Sequence, residues 1–547
     1  MSEQTQQPII ILKEGTERKQ GNEAQRENIT AARAVAEAVR TTLGPRGMDK
    51  MLVDTIGSVV ITNDGITILE ELEIQHPAAK MMVEVAKTQN DEVGDGTTSA
   101  VVMAGELLRY AEELLEQDVH PSTIAQGFIL AADKSLEVLN SIAIDVGTND
   151  DVLRQVAATA INGKGAEAEN DLFCDIAVNA IKLIADADGT VDTDFISIER
   201  LTGGSAADSR LIEGVVIDKE RVNANMPASV KQAGILLLNA PIEYKKTEMD
   251  AEISITSSEQ LQAFLDEEER MIKAVVDRII ETGAMAIFCQ KGIDDMAEHF
   301  LAKAGIMAVR RVKKSDMERL SRATGASIIS SMDAISKDEI GFAGLVEEKG
   351  VAGKRFIFVT DCTNPKAATI LVHGGTETVA FEMERAVDDA LHVVATTFED
   401  QRVVPGGGAP EIELSVALRD FAAQMGGRIQ LAVEAFARAF ERIPLTLAEN
   451  AGFDPIDTLI ELRTAHERGE STAGIDVATG KSADMISRGI VDPLRVKTQA
   501  VASAAETATM ILRIDDVISA AAPGPEELPP QAPGMGGMGG MGMPPMM

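Results

Sequence analysis

Helical periodicity occupies both ends of this 547-residue chain, and short β-rich runs occupy its middle. Elements of one kind bury their apolar faces against one another. The simplest architecture is one helical domain built from both chain ends, with an α/β domain inserted between them. In "NEAQRENITAARAVAEAVRTTL" (22–43), Ile29, Ala32, Val35, Ala36 and Val39 recur at helical spacing. Gly44-Pro45 ends that pattern. "KMLVDTIGSVVITND" (50–64) reads as two short strands around Gly57, and helical patterns then run to about residue 160. From about residue 190, "FISIERL", "LIEGVVID", "AGILLLN", "AMAIFC", "IMAVRRV", "ASIIS", "KRFIFVT" and "ATILVHG" read as strands. Helical stretches such as "GIDDMAEHFLAKAG" lie between several of them, which predicts an α/β block over 218–370. After residue 375 the helices return. Residues 151–217 and 371–403 are left as connections, and "ATMILRIDDVIS" near the end reads as a strand. The Gly/Met-rich tail from 524 to 547 offers nothing to pack and is expected to be disordered.

Composition narrows the function classes. Aromatic residues make up 3% and Trp is absent, so the core must be aliphatic and filled with Met. A formal charge of −36 excludes a nucleic-acid groove, which needs a basic patch. Cys174, Cys289 and Cys362 lie far apart, with neither disulfide nor zinc spacing, and the histidines form no HExxH. No apolar run is long enough to span a membrane, and "MSEQTQQPII" is no signal peptide. A soluble cytoplasmic protein is expected.

The polar turns carry the chemistry. "GDGTT" (94–98) stands directly before the apolar helix pattern "SAVVMAGELLR". A helix N-terminus attracts phosphate through its unpaired N–H groups and its dipole. Gly94 and Gly96 would let the backbone approach it, and Thr97, Thr98 and Ser99 add hydroxyls. Asp95 would repel a bare phosphate but suits a magnesium ion held between the two. The plainer alternative is a flexible turn with a threonine cap. Similar turns recur in "TLGPRGMDK" (42–50), "TNDGITIL" (62–69), "VVPGGGAPE" (403–411) and "IVDPLRVK" (490–497). "ERAVDDAL" (384–391) places paired aspartates inside a helix, where a solvated face is the ordinary reading. "GIDVATGKS" has five residues between Gly474 and Gly480 where a P-loop requires four, and no kinase motif set appears. The excursion 244–280 is charged and amphipathic, with Leu261, Phe264, Leu265, Ile272, Val275 and Ile279 in an apolar stripe. It is either a surface helix or a protruding arm.

In this order and over the whole length, "LGPRGMDK", "NDGITIL", "GDGTTSAVV", "NPKAATILVHGGTE", "ERAVDDAL", "VVPGGGAPE" and the Gly-Met tail resemble the group II chaperonins of archaea. The resemblance implies an α+β multidomain chaperonin fold. Its mostly helical equatorial ATPase domain would be 1–150 and 404–523. A small intermediate domain would be 151–217 and 371–403. The inserted α/β apical domain, 218–370, would carry a helical lid protrusion at about 244–280. The implied activity is ATP-dependent chaperoning, in which non-native proteins are encapsulated in a double-ring cavity and assisted in folding. ATP and Mg2+ are the implied cofactors. The implied partners are non-native clients and identical or paralogous subunits in stacked, eight-membered rings. Nucleic acid, membrane and a separate lid co-chaperonin are not expected. Residue by residue, Thr42, Leu43, Gly44 and Pro45 match the first nucleotide loop. Gly96, Thr97, Thr98 and Ser99 match the phosphate cradle and Asp95 the magnesium ligand. Asp64 and Asp389, rather than Asp388, match the pair that positions and polarises the attacking water. Gly407 and Gly408 match the glycines beside sugar and base, and Asp492 the ribose ligand. Lys164, in "INGKGAE", resembles the lysine that senses the terminal phosphate. The stripe of 244–280 and the helix in "KKSDMERLSRATG" are expected to hold apolar segments of clients.

Two other classes stay open on the residues alone. A magnesium-dependent small-molecule ATPase or ligase would share the phosphate turns. An ATP-independent scaffold for unfolded chains would not need Asp64 and Asp389.

Overall fold

The computed structural model describes residues 17–57, 59–165, 169–243 and 258–519. Its class is α+β, as read from the sequence, with separate hydrophobic cores. Among the described residues no helix is long and apolar enough to cross a membrane.

The helix Thr97–Glu116 is buried on nearly every side, because from Ala100 to Leu108 its buried positions hold only Ala, Val, Met, Gly and Leu. Pro77–Val93, Arg428–Phe440 and Leu494–Leu512 pack against it, with Pro121–Ile142 alongside. Segments from both chain ends therefore share one core. Phe128, Phe436 and Phe440 meet edge to face at 5.5 and 5.4 Å. Aliphatic residues such as Met82, Leu107 and Leu108 fill the rest. Close helix approach relies on missing side chains: a Cβ on Gly105 would lie 2.3 Å from Ala36 Cβ.

A second core joins the helices Asp150–Ile161, Asn170–Ile184 and Glu377–Asp400 to Ile196, Ile370 and Val372. Those three residues belong to a nine-stranded sheet. Its order is Ile196–Thr202, Ala368–Gly374, Arg210–Ile217, Lys354–Thr360, Gly341–Val351, Ser229–Leu238, Ala286–Cys289 and Met307–Val309. Ile328–Ile329 pairs separately with Leu237 and Leu238. The run from Ser229–Leu238 to Met307–Val309 is parallel, and the helices Ser258–Thr282 and Asp295–Lys303 supply its crossovers.

Among the departures from the sequence reading, three stand out. Gly341–Val351 was not foreseen as a strand. Its polar stretch Glu347–Lys349 hides the pattern, and two hydrogen-bonded neighbours hold it in place. "ATMILRIDDVIS" is not one strand. Ala508, Ile511 and Leu512 keep the buried helical face of Leu494–Leu512, and only Asp516–Ser519 is extended. That strand pairs antiparallel with Glu17–Gln20, where Arg18 meets Asp516 at 2.6 Å. The helix Lys314–Thr324 buries Met317, Leu320 and Ala323 in its own domain, so its apolar face is not available to a client. In Ser258–Thr282, Ile272, Val276 and Ile279 are buried, whereas Phe264 and Leu265 are 36% and 44% exposed. Residues 244–257 and the tail 524–547 lie outside the described residues.

Gly105→Ala tests the packing. An exposed helical glycine gains about 1 kcal/mol from this change, but here the added methyl meets Ala36. We expect a loss of about 1–3 kcal/mol in guanidinium unfolding, recovered by adding Ala36→Gly. A stabilised single variant would contradict the packing.

Candidate functional site

Ordinary turn chemistry builds the centre of the site. The helix Pro77–Val93 ends at Gly94 in the left-handed region (φ 69°), and Gly96 (φ 77°) starts Thr97–Glu116 without a side-chain cap. L side chains resist both conformations. The result is an uncapped helix N-terminus whose first N–H groups have no side-chain acceptor. A Cβ at Gly94 would lie 2.2 Å from His392 Cβ, so the helix Glu377–Asp400 rests directly on this turn.

The turn opens onto a cavity of ≈ 400 Å³. Thr42, Leu43, Gly44, Pro45, Asp64, Asp95, Gly96, Thr97, Thr98, Ser99, Lys164, Gly407, Gly408 and Asp492 all line it. Asp389 does not. It faces an adjoining recess of ≈ 420 Å³ that shares Asp64 with the first cavity. The link between the two is Lys164, whose ammonium donates to Asp389 Oδ2 and lies 3.9 Å from Asp95 Oδ1. Asp388 lines the recess too, but its side chain is 53% exposed against 14% for Asp389.

The carboxylates differ in environment. Asp64 caps the helix Gly65–Glu71: its Oδ2 accepts from Thr67 N at 3.2 Å and Thr67 Oγ1 at 2.7 Å. Asp95 is half-buried on the cavity wall. Burial pushes the Asp389 carboxyl up to about 8; Lys164 pulls the other way, and Asp64 and Asp95 add repulsion. Burial alone would lower Lys164, but Asp389, Asp95 and Asp64 together hold it above the ordinary lysine range.

Four polar residues at the site escaped the sequence reading. Asn63 Nδ2 donates to Gly163 O at 2.6 Å and so fixes the loop that carries Lys164. Gln89, fully buried, donates to Asp95 O at 2.8 Å and Val496 O at 3.1 Å. Lys497 lies between Glu411 and Asp492. Asn63 was visible, one residue before Asp64. Gln89, Glu411 and Lys497 sit in helical patterns where a polar residue reads as a solvated face.

Among the described residues, no group of three or more His, Cys, Asp or Glu side chains encloses a metal position. Magnesium needs no such cage: it commonly takes one or two carboxylates plus phosphate oxygens and water. Asp95, beside an uncapped helix N-terminus, fits an ion that arrives with a phosphate ligand. The strand–turn–strand Ala473–Asp476 and Lys481–Asp484 occupies the P-loop-like segment, and no helix follows it as a P-loop requires.

A family model described as the TCP-1/cpn60 chaperonin family matches residues 35–522. A thermosome subunit of Methanopyrus kandleri is 60% identical over 516 residues, covering 94% of this chain and 95% of that one. Thermosome subunit beta of Archaeoglobus fulgidus is 58% identical over 518 residues, covering 94% and 95%. Thermosome subunit alpha of the same organism is 56% identical over 517 residues, covering 94% and 95%.

Lys164→Met should leave Asp389 buried without its counter-charge. A fully buried pair broken this way loses about 3–5 kcal/mol. The partial exposure here sets the expectation at about 1–3 kcal/mol in guanidinium unfolding without divalent cations. Asp389→Asn in the same chain should restore most of it. An unchanged midpoint in the single variant would show that the contact is not formed in solution.

Proposed function

The chain belongs to the TCP-1/cpn60 chaperonin family, and from that premise we propose that it hydrolyses ATP at the cavity described above. It is an ATP-dependent chaperone that encloses non-native proteins and assists their folding. A small-molecule ligase and a nucleotide-indifferent scaffold are set aside, because the family match spans nearly the whole chain. The observation that carries the hydrolytic reading is the contact of Lys164, on the phosphate side, with Asp389, on a helix 225 residues away in sequence.

In this reading the phosphates lie on the N–H groups and hydroxyls of Gly96, Thr97, Thr98 and Ser99. Thr42 to Pro45, Gly407 and Gly408 enclose the rest of the nucleotide, and Asp492 accepts from the ribose. Asp95 would hold magnesium, which would supply charge neutralisation at the phosphates. Lys164 meets the terminal phosphate. Asp64, its Oδ2 kept by Thr67, has Oδ1 left to orient a water, and Asp389 receives that water's proton. Positioning and charge are most of what phosphoryl transfer requires. Asp389 lies on the helix that also presses His392 onto Gly94, so movement of Glu377–Asp400 assembles or dismantles the site.

The same reading assigns 1–150 and 404–523 to the equatorial domain, 151–217 and 371–403 to the intermediate domain, and 218–370 to the apical domain. The arm at 244–280 would close the cavity as a built-in lid without a co-chaperonin. Exposed Phe264 and Leu265, which need a cover in the closed state, support that. Stacked eight-membered rings in the cytoplasm complete the picture. Similarity to both alpha and beta subunits of one organism allows identical or paralogous neighbours.

Asp389→Ala should bind ATP nearly as the parent does and hydrolyse it roughly 10²- to 10⁴-fold more slowly. Asp95→Ala should instead weaken magnesium-ATP binding. Nucleotide titration beside steady-state phosphate release separates the two. Full turnover in the first variant, or unchanged affinity in the second, refutes the corresponding role. For the lid, trypsin should spare 258–282 only when a transition-state phosphate analogue is bound. Equal cleavage with and without it would leave a plain surface helix.

A further inference from the structure

Lys497 has no part in the mechanism above, yet it is among the most costly placements in the chain. Its ammonium lies 3.0 Å from Glu411 Oε1 and 2.9 Å from Asp492 Oδ2. Glu411 is 2% exposed, and its Oε2 has no hydrogen-bond partner. Burial would lower Lys497, but Asp492 and Glu411 hold it above the ordinary lysine range. Apolar residues of similar volume usually serve stability as well as a buried ionic triad does, or better. A triad kept in such a place has something to hold.

Its geometry shows what that is. Asp492 and Lys497 reach the wall of the ≈ 400 Å³ cavity, and Glu411 sits behind them. Glu411 is in the first turn of Ala409–Gln424, which follows the Gly407–Gly408 turn. Lys497 is one residue past Val496, whose carbonyl Gln89 ties to Asp95. The lysine thus takes one oxygen of the Asp492 carboxylate and fixes the other. The carboxylate cannot swing away when a ligand hydroxyl is missing, and its unmet oxygen then counts against that ligand.

We propose that Glu411 and Lys497 are positioning residues that aim Oδ1 of Asp492 at the ribose hydroxyls, so that the site selects ribonucleotides over deoxyribonucleotides. The proposal rests on Asp492 as the ribose ligand. It differs from a purely structural role for the triad, which would affect all nucleotides alike.

Calorimetric titration of the full-length protein with ATP and with 2′-deoxyATP, in magnesium, decides it. The parent should prefer ATP by roughly ten- to a hundredfold, the scale of one hydrogen bond to a charged group. The double variant Glu411→Gln/Lys497→Met removes both hidden charges together, so neither is left buried alone. Its preference should fall towards unity while ATP still binds. Lys497→Arg keeps the charge and should retain most of the preference. A double variant that weakens both nucleotides equally, leaving their ratio intact, overturns the proposal. Asp492→Asn is the separate control. If it leaves the ratio unchanged, Asp492 is not the ribose ligand, and the proposal falls with it.

Discussion

The contact between the Lys164 ammonium and the Asp389 carboxylate makes one site out of two parts of the chain. Burial and the like charges of Asp64 and Asp95 already push the Asp389 carboxyl up to about 8, and Lys164 is the group that opposes them. Lys164 in turn depends on Asn63, whose amide holds the Gly163 carbonyl, and Asn63 immediately precedes the Asp64 cap. A short loop, a helix cap and a distant helix are therefore mutually conditional. A displacement of Glu377–Asp400 removes Asp389 from Lys164 and lifts His392 from Gly94 together. Such a joint is suited to couple movement of that helix to the Gly94–Gly96 turn, and the reverse.

Much of this was legible in the sequence because glycine and aspartate at helix starts have few uses. The turns at 42–45, 94–99 and 407–408 were readable from local chemistry, and the structure brings them to one cavity. The choice of Asp389 over Asp388 came from resemblance alone. Its physical counterpart is that only Asp389 is turned to the buried side beside Lys164. Helical period also placed the main helices, since their buried faces repeat Ala, Val, Leu and Met. The strand Gly341–Val351 was lost because Glu347–Lys349 breaks its alternation, and strand pairing, a long-range property, restores it. Gln89, Glu411 and Lys497 were lost for a related reason: whether a polar side chain is buried depends on partners far along the chain.

Two kinds of closeness support the site. One is apolar: Thr97–Glu116 sits in an aliphatic core so tight that Gly105 has no room for a methyl group. The other is polar: Gln89 and the Lys497 triad tie the segment bearing Asp492 to the turn bearing Asp95. The first makes the helical body rigid. The second transmits that rigidity to the groups that face a ligand. By contrast, Glu377–Asp400 buries its apolar side in the second core, with Ile370 and Val372, and meets the helical body where His392 rests on Gly94. A single helix packed in one core thus bears directly on a turn of the other, which is what a mechanical coupling element requires.

The most direct measurement is the structure of the full chain bound to magnesium, ADP and a planar metal-fluoride mimic of the transferred phosphate. The metal is expected on Asp95, the diphosphate over Gly96 to Ser99, and the mimic within hydrogen-bond reach of Lys164. A water should lie in line between Asp64 and Asp389. A nucleotide seated elsewhere, or one whose phosphate mimic lies beyond the reach of Asp389, would contradict it.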